Sequence, residues 1–180
     1  MSDPEIYWIN ASGPGKLAVM PRPRGGDLLE NEILSLKRFG IDILVSLLTR
    51  EEESFLGLEK EGERGRAHGL EFVSHPVLDR NVPASPKETW ALASRLADRF
   101  ASGKKIAVHC RMGIGRSPLL LACILVSRGL APDDAWKAIG TARGLSVPDT
   151  LENATGSSVI CRRGRCVLLD GLLFPVLFST

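Results

Sequence analysis

The chain has one tyrosine, three histidines and four cysteines in 180 residues, and neither sign of charge dominates it. Lys+Arg 23 against Asp+Glu 21 leaves a formal net charge of +2, too balanced for nucleic acid or a membrane surface to be the main partner. Recognition of an anion has to be local. The longest apolar runs, around Leu119–Val126 and Val167–Phe178, fall short of the roughly 20 residues that span a bilayer, so no membrane span is expected. The opening MSDPEIYWIN has no basic stretch followed by an apolar core, the pattern of a secretory signal. Four cysteines without regular spacing do not make a disulfide framework, and a reducing, cytoplasmic setting is the expectation. Cys161 and Cys166 have no further ligand-type residues beside them, which disfavours zinc.

What is present is an ordinary globular composition, 44% hydrophobic and 24% charged, long enough for one domain with a buried core. Ile6–Ile9 and Leu17–Met20 read as short strands around the turn Ser12-Gly13-Pro14-Gly15. Asp27 with Glu30 predicts a capping box opening a helix that Gly40 stops. Ile41–Leu48 is nearly continuous in apolar residues, the mark of a strand covered on both faces. Thr49 with Glu52 repeats the capping signal, for an acidic helix fading near Gly62. Leu70–Val77 reads as a strand and Leu78–Pro83 as a loop. Ser85, Pro86 and Glu88 supply the start of a helix reaching Ala101. Ile106–Val108 is the expected central strand, Ser117–Arg128 the helix after it, and a last helix runs from Pro132 to near Gly144. Alternating strands and helices predict an α/β fold with a central, mostly parallel sheet flanked by helices. Residues 1–153 are assigned to this domain and 154–180 to a C-terminal tail of unassigned structure.

Between the central strand and its helix lies His109-Cys110-Arg111-Met112-Gly113-Ile114-Gly115-Arg116-Ser117. In such sheets, ligands sit where strands end and helices begin. Attack on a phosphoryl group needs a thiolate, and a cysteine just ahead of a helix N-terminus faces free N–H groups and the positive end of the dipole. Gly113 and Gly115 let the backbone curl so that the amides of Arg111, Met112, Gly113, Ile114, Gly115 and Arg116 form an anion nest. Arg116 adds a planar fork matched to two phosphate oxygens. Ser117 can donate a hydrogen bond to Cys110 sulfur as it leaves, and His109 is expected to orient the loop from within. The chemistry is double displacement through sulfur, with no metal or organic cofactor. A departing oxygen needs a proton, and Asp79, in a proline-bounded loop, is the candidate acid ahead of Asp98 and Asp42, which fall inside regular elements.

With those residues in hand, the sequence resembles the cysteine-dependent protein phosphatases, whose signature is His-Cys, five residues, Arg and Ser or Thr. The short domain and the Asp79 loop are similar to the compact dual-specificity branch over about Leu44 to Thr150. The resemblance implies a protein tyrosine phosphatase-like fold, Cys110 as nucleophile, Arg116 as phosphate ligand, Asp79 as acid then base, and Ser117 assisting cysteine departure. It implies a phosphorylated protein or peptide as substrate, at phosphotyrosine, with phosphoserine and phosphothreonine open. The order of parts fits low-molecular-weight phosphatases and rhodanese-like sulfurtransferases less well. A phosphoinositide or small phosphate-ester phosphatase is the alternative, disfavoured by a loop that has Arg111 but no lysine. A silent phospho-binding module is the third reading, set against the presence of both cysteine and arginine. Arg50, Arg80 and Arg111 form a candidate basic rim. His68, His75, Cys123, Trp90 and Trp136 read as structural, and the oligomeric state is left open.

Overall fold

A computed structural model describes residues 3–147. The tail expected after Asn153, with Cys161 and Cys166, lies outside the described residues. Strands β1 (Tyr7–Ile9), β2 (Lys16–Met20), β3 (Ile43–Ser46), β4 (Glu71–Ser74) and β5 (Lys105–His109) form one sheet in the order β1-β2-β5-β3-β4. Only β1 is antiparallel, against β2; the other pairings are parallel. The expected α/β architecture, with a mostly parallel sheet flanked by helices, is therefore what the chain adopts.

The central place of β5 follows from its composition. Ile106, Ala107 and Val108 are fully buried, flanked in register by Val19 on one side and Val45 on the other. Strands without a polar face need cover on both sides. Helices α4 (Pro86–Ala101), α5 (Arg116–Ser127) and α6 (Pro132–Arg143) cover one face, around Leu96, Phe100, Ile124 and Ile139. On the other, α1 (Leu29–Arg38) and α3 (Glu61–Ala67) pack Ile33 and Leu36 with Leu44 and Leu70. Eleven residues of α5 are buried, so this helix runs through the interior and its N-terminus opens beside the end of β5. Cys123 and the two helix tryptophans, Trp90 and Trp136, lie in or against this core.

Two caps expected from sequence are present. Thr49 accepts the Glu52 amide while the Glu52 carboxylate accepts the Thr49 amide, starting α2 (Arg50–Leu56). Ser85 accepts the Glu88 amide with Pro86 next in line. The Asp27–Glu30 capping box is not formed. Residues Gly26–Leu28 make a 3-10 turn, and α1 starts at Leu29 with no side-chain cap. The acids go elsewhere: Glu30 pairs with Arg64 and His68, and Glu32 pairs with Arg24. The acidic helix does not fade towards Gly62 but ends at Gly57, which takes φ +66°, and the chain re-forms as α3. Among the described residues, no helix is long and apolar enough to cross a membrane.

Candidate active site

The carboxyl ends of β3, β4 and β5 lie side by side because the three strands are parallel and in register. The segments leaving them converge there. Thr49 and α2 follow β3, the Val77–Asp79 loop follows β4, and Cys110 to Ser117 follows β5.

Cys110 is buried, and its sulfur accepts the Gly113 amide at 3.3 Å. Burial alone pushes the thiol up. The Ser117 hydroxyl and amide, the Arg116 charge and the Gly113 amide outweigh it and hold Cys110 below the ordinary cysteine value. The Ser117 hydroxyl is fully buried, and its oxygen makes no aligned hydrogen bond. The loop's shape depends on Gly113, which sits at φ +71°; a Cβ there would come within 2.6 Å of the Met20 carbonyl oxygen.

Four carbonyls of the loop, those of Cys110, Arg111, Met112 and Gly113, each have a donor. His109 Nδ1 meets the Cys110 oxygen at 3.3 Å, and the Arg22 amide meets that of Arg111 at 3.3 Å. Arg143, on α6, donates from Nη2 to the Met112 oxygen at 3.0 Å and from Nε to the Gly113 oxygen at 3.2 Å.

Arg116 is almost wholly buried. Glu52 grips it at both ends, Nη1 to Oε2 at 2.7 Å and Nη2 to Oε1 at 2.8 Å, and Nη1 also donates to the Val77 carbonyl at 2.8 Å. Such paired, charge-assisted bonds fix the plane of a guanidinium. Burial pushes the Glu52 carboxyl up, but Arg116 and the Thr49 amide more than offset this and hold it below the ordinary range. Glu52 thus caps α2 and holds Arg116 at once. Sequence reading gave it only the first task, and the signal for the second was its place just beyond the strand beside β5.

Asp79 reaches the same arginine, with Oδ1 3.1 Å from Nη2, on a side chain that is 57% exposed. Its loop is a tight turn in which the Asn81 amide donates to the Leu78 carbonyl and Arg80 adopts φ +55°, a left-handed conformation unusual for a residue with a side chain. Asp42 and Asp98 are not brought here: Asp42 pairs with Lys104 and the Lys105 amide, and Asp98 lies within α4. Of the rim arginines, Arg111 stands 6.0 Å over the ring of Phe55, itself 79% exposed. His75 bonds Thr89 and His68 pairs with Glu30.

Behind the loop is a pair that sequence reading missed. His109 Nε2 lies 2.9 Å from Glu61 Oε1, with both side chains at or below 1% exposure. The approach is off the line of an aligned hydrogen bond. Burial pushes His109 down, and the Glu61 carboxylate reverses this, raising the imidazole above its ordinary value.

A family model described as "Polymorphic toxin system, DSP-PTPase phosphatase" matches residues 18–130, well over half of the chain. Cyclin-dependent kinase inhibitor 3 of Rattus norvegicus is 26% identical over 158 residues, covering 82% of this chain and 74% of that protein. Protein tyrosine phosphatase type IVA 3 of Bos taurus is 30% identical over 117 residues, covering 64% and 62%. Among solved structures, a kinase associated phosphatase with its catalytic-site cysteine replaced by serine superposes with a TM-score of 0.78 at 21% identity, covering 87% of this chain and 93% of that one. Tk-PTP in its active form gives 0.64 at 24% identity, covering 83% and 92%. At those identities the structural likeness speaks for the fold.

Proposed function

The chain belongs to the DSP-PTPase family of cysteine-dependent phosphatases, and from that premise we propose that it removes phosphate from phosphotyrosine on proteins, with phosphoserine and phosphothreonine as secondary substrates. The observation that carries the reading is the convergence on one arginine. Arg116 carries its charge beside the lowered Cys110 thiol while its guanidinium meets both the Glu52 clamp and the exposed Asp79 carboxyl.

In the first step the Cys110 thiolate attacks phosphorus and the bond to the ester oxygen breaks. Asp79 gives that oxygen its proton, and a phosphocysteine forms. In the second step a water attacks phosphorus and yields a proton to Asp79. The S–P bond breaks to the thiolate, which the Ser117 hydroxyl stabilises, and phosphate leaves. Throughout, the amides from Arg111 to Arg116 and the Arg116 fork take the charge that grows on the phosphoryl oxygens. A phosphate oxygen competes with Asp79 for Arg116 Nη2, which frees the exposed carboxyl to face the leaving oxygen. The catalysis asks for no cofactor, and a cytoplasmic phosphoprotein is the partner this reading implies.

The deciding experiment compares turnover of an aryl phosphate, phosphotyrosyl, phosphoseryl and phosphothreonyl peptides, and phosphoinositides, by wild type and Asp79→Asn. Phosphotyrosyl peptide is expected to lead. Asp79→Asn is expected to lower kcat by roughly a hundredfold. Preference for the phosphoinositide would replace the protein reading with the lipid one. An unchanged kcat in Asp79→Asn would discharge that residue.

Glu52 has its own expected result. Glu52→Gln keeps a side-chain acceptor for the Thr49 amide but loses the charge that sets the Arg116 plane. We expect kcat/KM for an aryl phosphate to fall roughly tenfold to a hundredfold, the scale of a hydrogen bond to a charged group. Steady-state kinetics alongside helix content by circular dichroism separates this from loss of α2.

A further inference from the structure

We propose that Arg143 is a positioning residue for the cysteine loop: by holding the Met112 and Gly113 carbonyls outside, it keeps the Gly113 and Ile114 amides aimed at the sulfur and the phosphate.

The argument rests on peptide planarity. In a trans peptide the C=O and N–H of one unit point in opposite directions. The Met112 carbonyl and the Gly113 amide belong to one unit; the Gly113 carbonyl and the Ile114 amide belong to the next. Arg143 Nη2 holds the first carbonyl at 3.0 Å and its Nε holds the second at 3.2 Å. On the opposite side of the first unit, the Gly113 amide donates to Cys110 sulfur at 3.3 Å. One guanidinium therefore sets the facing of two adjacent donors. A loop that carries Gly113 at φ +71° and Gly115 as its last residue before α5 has backbone freedom to lose. Each carbonyl that slips inward would cost the site one amide and add a dipole of the wrong sign.

Arg143 is itself braced. It is the last residue of α6, where Gly144 takes φ +67° and turns the chain away. Its guanidinium stacks 4.0 Å from the ring centre of Tyr7, the single tyrosine of the chain. That is a cation–π distance that restricts a long, flexible side chain. Tyr7 sits on β1, against which α6 packs, and its hydroxyl donates to Glu5. Both Tyr7 and Arg143 fall outside residues 18–130, the span that the family model matches. The brace joins the two ends of the described fold to the back of the loop, a role separate from the contacts on Arg116.

This inference rests on the phosphatase reading, and the test keeps the two apart. Three readouts are taken on wild type, Arg143→Ala, Arg143→Lys and Tyr7→Leu: the pH dependence of Cys110 alkylation by iodoacetate, inhibition by orthovanadate, and kcat and KM for an aryl phosphate. For Arg143→Ala we expect the alkylation midpoint to move up and vanadate inhibition to weaken about tenfold. We expect kcat/KM to fall by a similar factor, the scale of hydrogen bonds from a charged donor. Arg143→Lys is expected to recover part of each loss, since a lysine keeps the charge but replaces two spaced, planar donors by one compact ammonium. Tyr7→Leu should shift all three in the same direction by less. A folded Arg143→Ala protein whose alkylation midpoint and vanadate inhibition match wild type overturns the proposal. Should Arg143→Ala fail to fold, Arg143→Lys and Tyr7→Leu decide it, and wild-type values for both overturn it. Absence of turnover by wild type itself would instead strike the phosphatase reading.

Discussion

Cys110→Ser is expected to abolish turnover, lowering kcat by roughly 10,000-fold or more, while leaving phosphotyrosyl-peptide binding nearly intact. The reason lies in what surrounds the sulfur. Burial opposes ionisation there, and the Ser117 hydroxyl and amide, the Arg116 guanidinium and the Gly113 amide overcome it. Those groups lower a thiol; a serine hydroxyl starts so much more weakly acidic that the same donors leave it protonated at neutral pH. The cradle itself does not depend on the sulfur. Its amides are held by outward carbonyl contacts, and Arg116 is held by Glu52 and the Val77 carbonyl. Binding by calorimetry and single-turnover release of phosphate from the same peptide therefore separate in this variant. Release within tenfold of wild type would remove Cys110 from the mechanism. As a companion measurement, wild-type alkylation at Cys110 should reach its midpoint below 9.0, the ordinary value for the thiol.

The loop was legible in sequence because its parts are local. A strand with an apolar centre, a cysteine, two glycines, an arginine and an apolar helix follow one another in the chain, so local backbone geometry is enough to set the Gly113 amide against the Cys110 sulfur. The caps at Thr49 and Ser85 were legible for the same reason, since each closes over three residues. Asp27 with Glu30 has the same spacing and fails because Glu30 finds Arg64 and His68 across α3, and tertiary partners outweigh a local cap there. The contacts that complete the site are long-range. Glu52 lies 64 residues from Arg116, and Arg143 lies 30 from Gly113. They meet only because β3 and β5 are parallel neighbours and α6 returns against β1. Strand order is a property of the whole chain, so an acidic residue after β3 could be recognised as a partner for Arg116 only once β3 was known to lie beside β5.

Glu61→Gln is the second change with a large expected effect, and it acts on stability. His109 and Glu61 are enclosed together, 2.9 Å apart and at most 1% exposed. Removing one partner of such a pair leaves a buried charge unopposed, at a cost of about 3 kcal/mol where His109 is ionised. The pH dependence of the His109 contribution should also change sign. In the native protein His109 is raised above 6.5, so the pair contributes fully below 6.5 and that contribution is lost as pH rises through the folded value. Without the carboxylate, burial is the dominant influence and pushes His109 below 6.5. Its contribution is then present above 6.5 and lost as pH falls. Glu53, raised by burial and by Glu61, relaxes in the variant and moves the slope in the same direction. Cys110, lowered in the fold, adds a slope of opposite sign to that of the native His109. The comparison is therefore made between Cys110→Ser and Cys110→Ser/Glu61→Gln, where no thiol titrates at position 110. His75, lowered by burial, adds a rising slope to both proteins, so the expected result is a difference: between pH 5.5 and 8 the thermal midpoint should climb with pH more steeply in the second protein than in the first. Parallel slopes would mean that the buried contact carries no charge, and His109 would then stand as a neutral ring holding the Cys110 carbonyl from within.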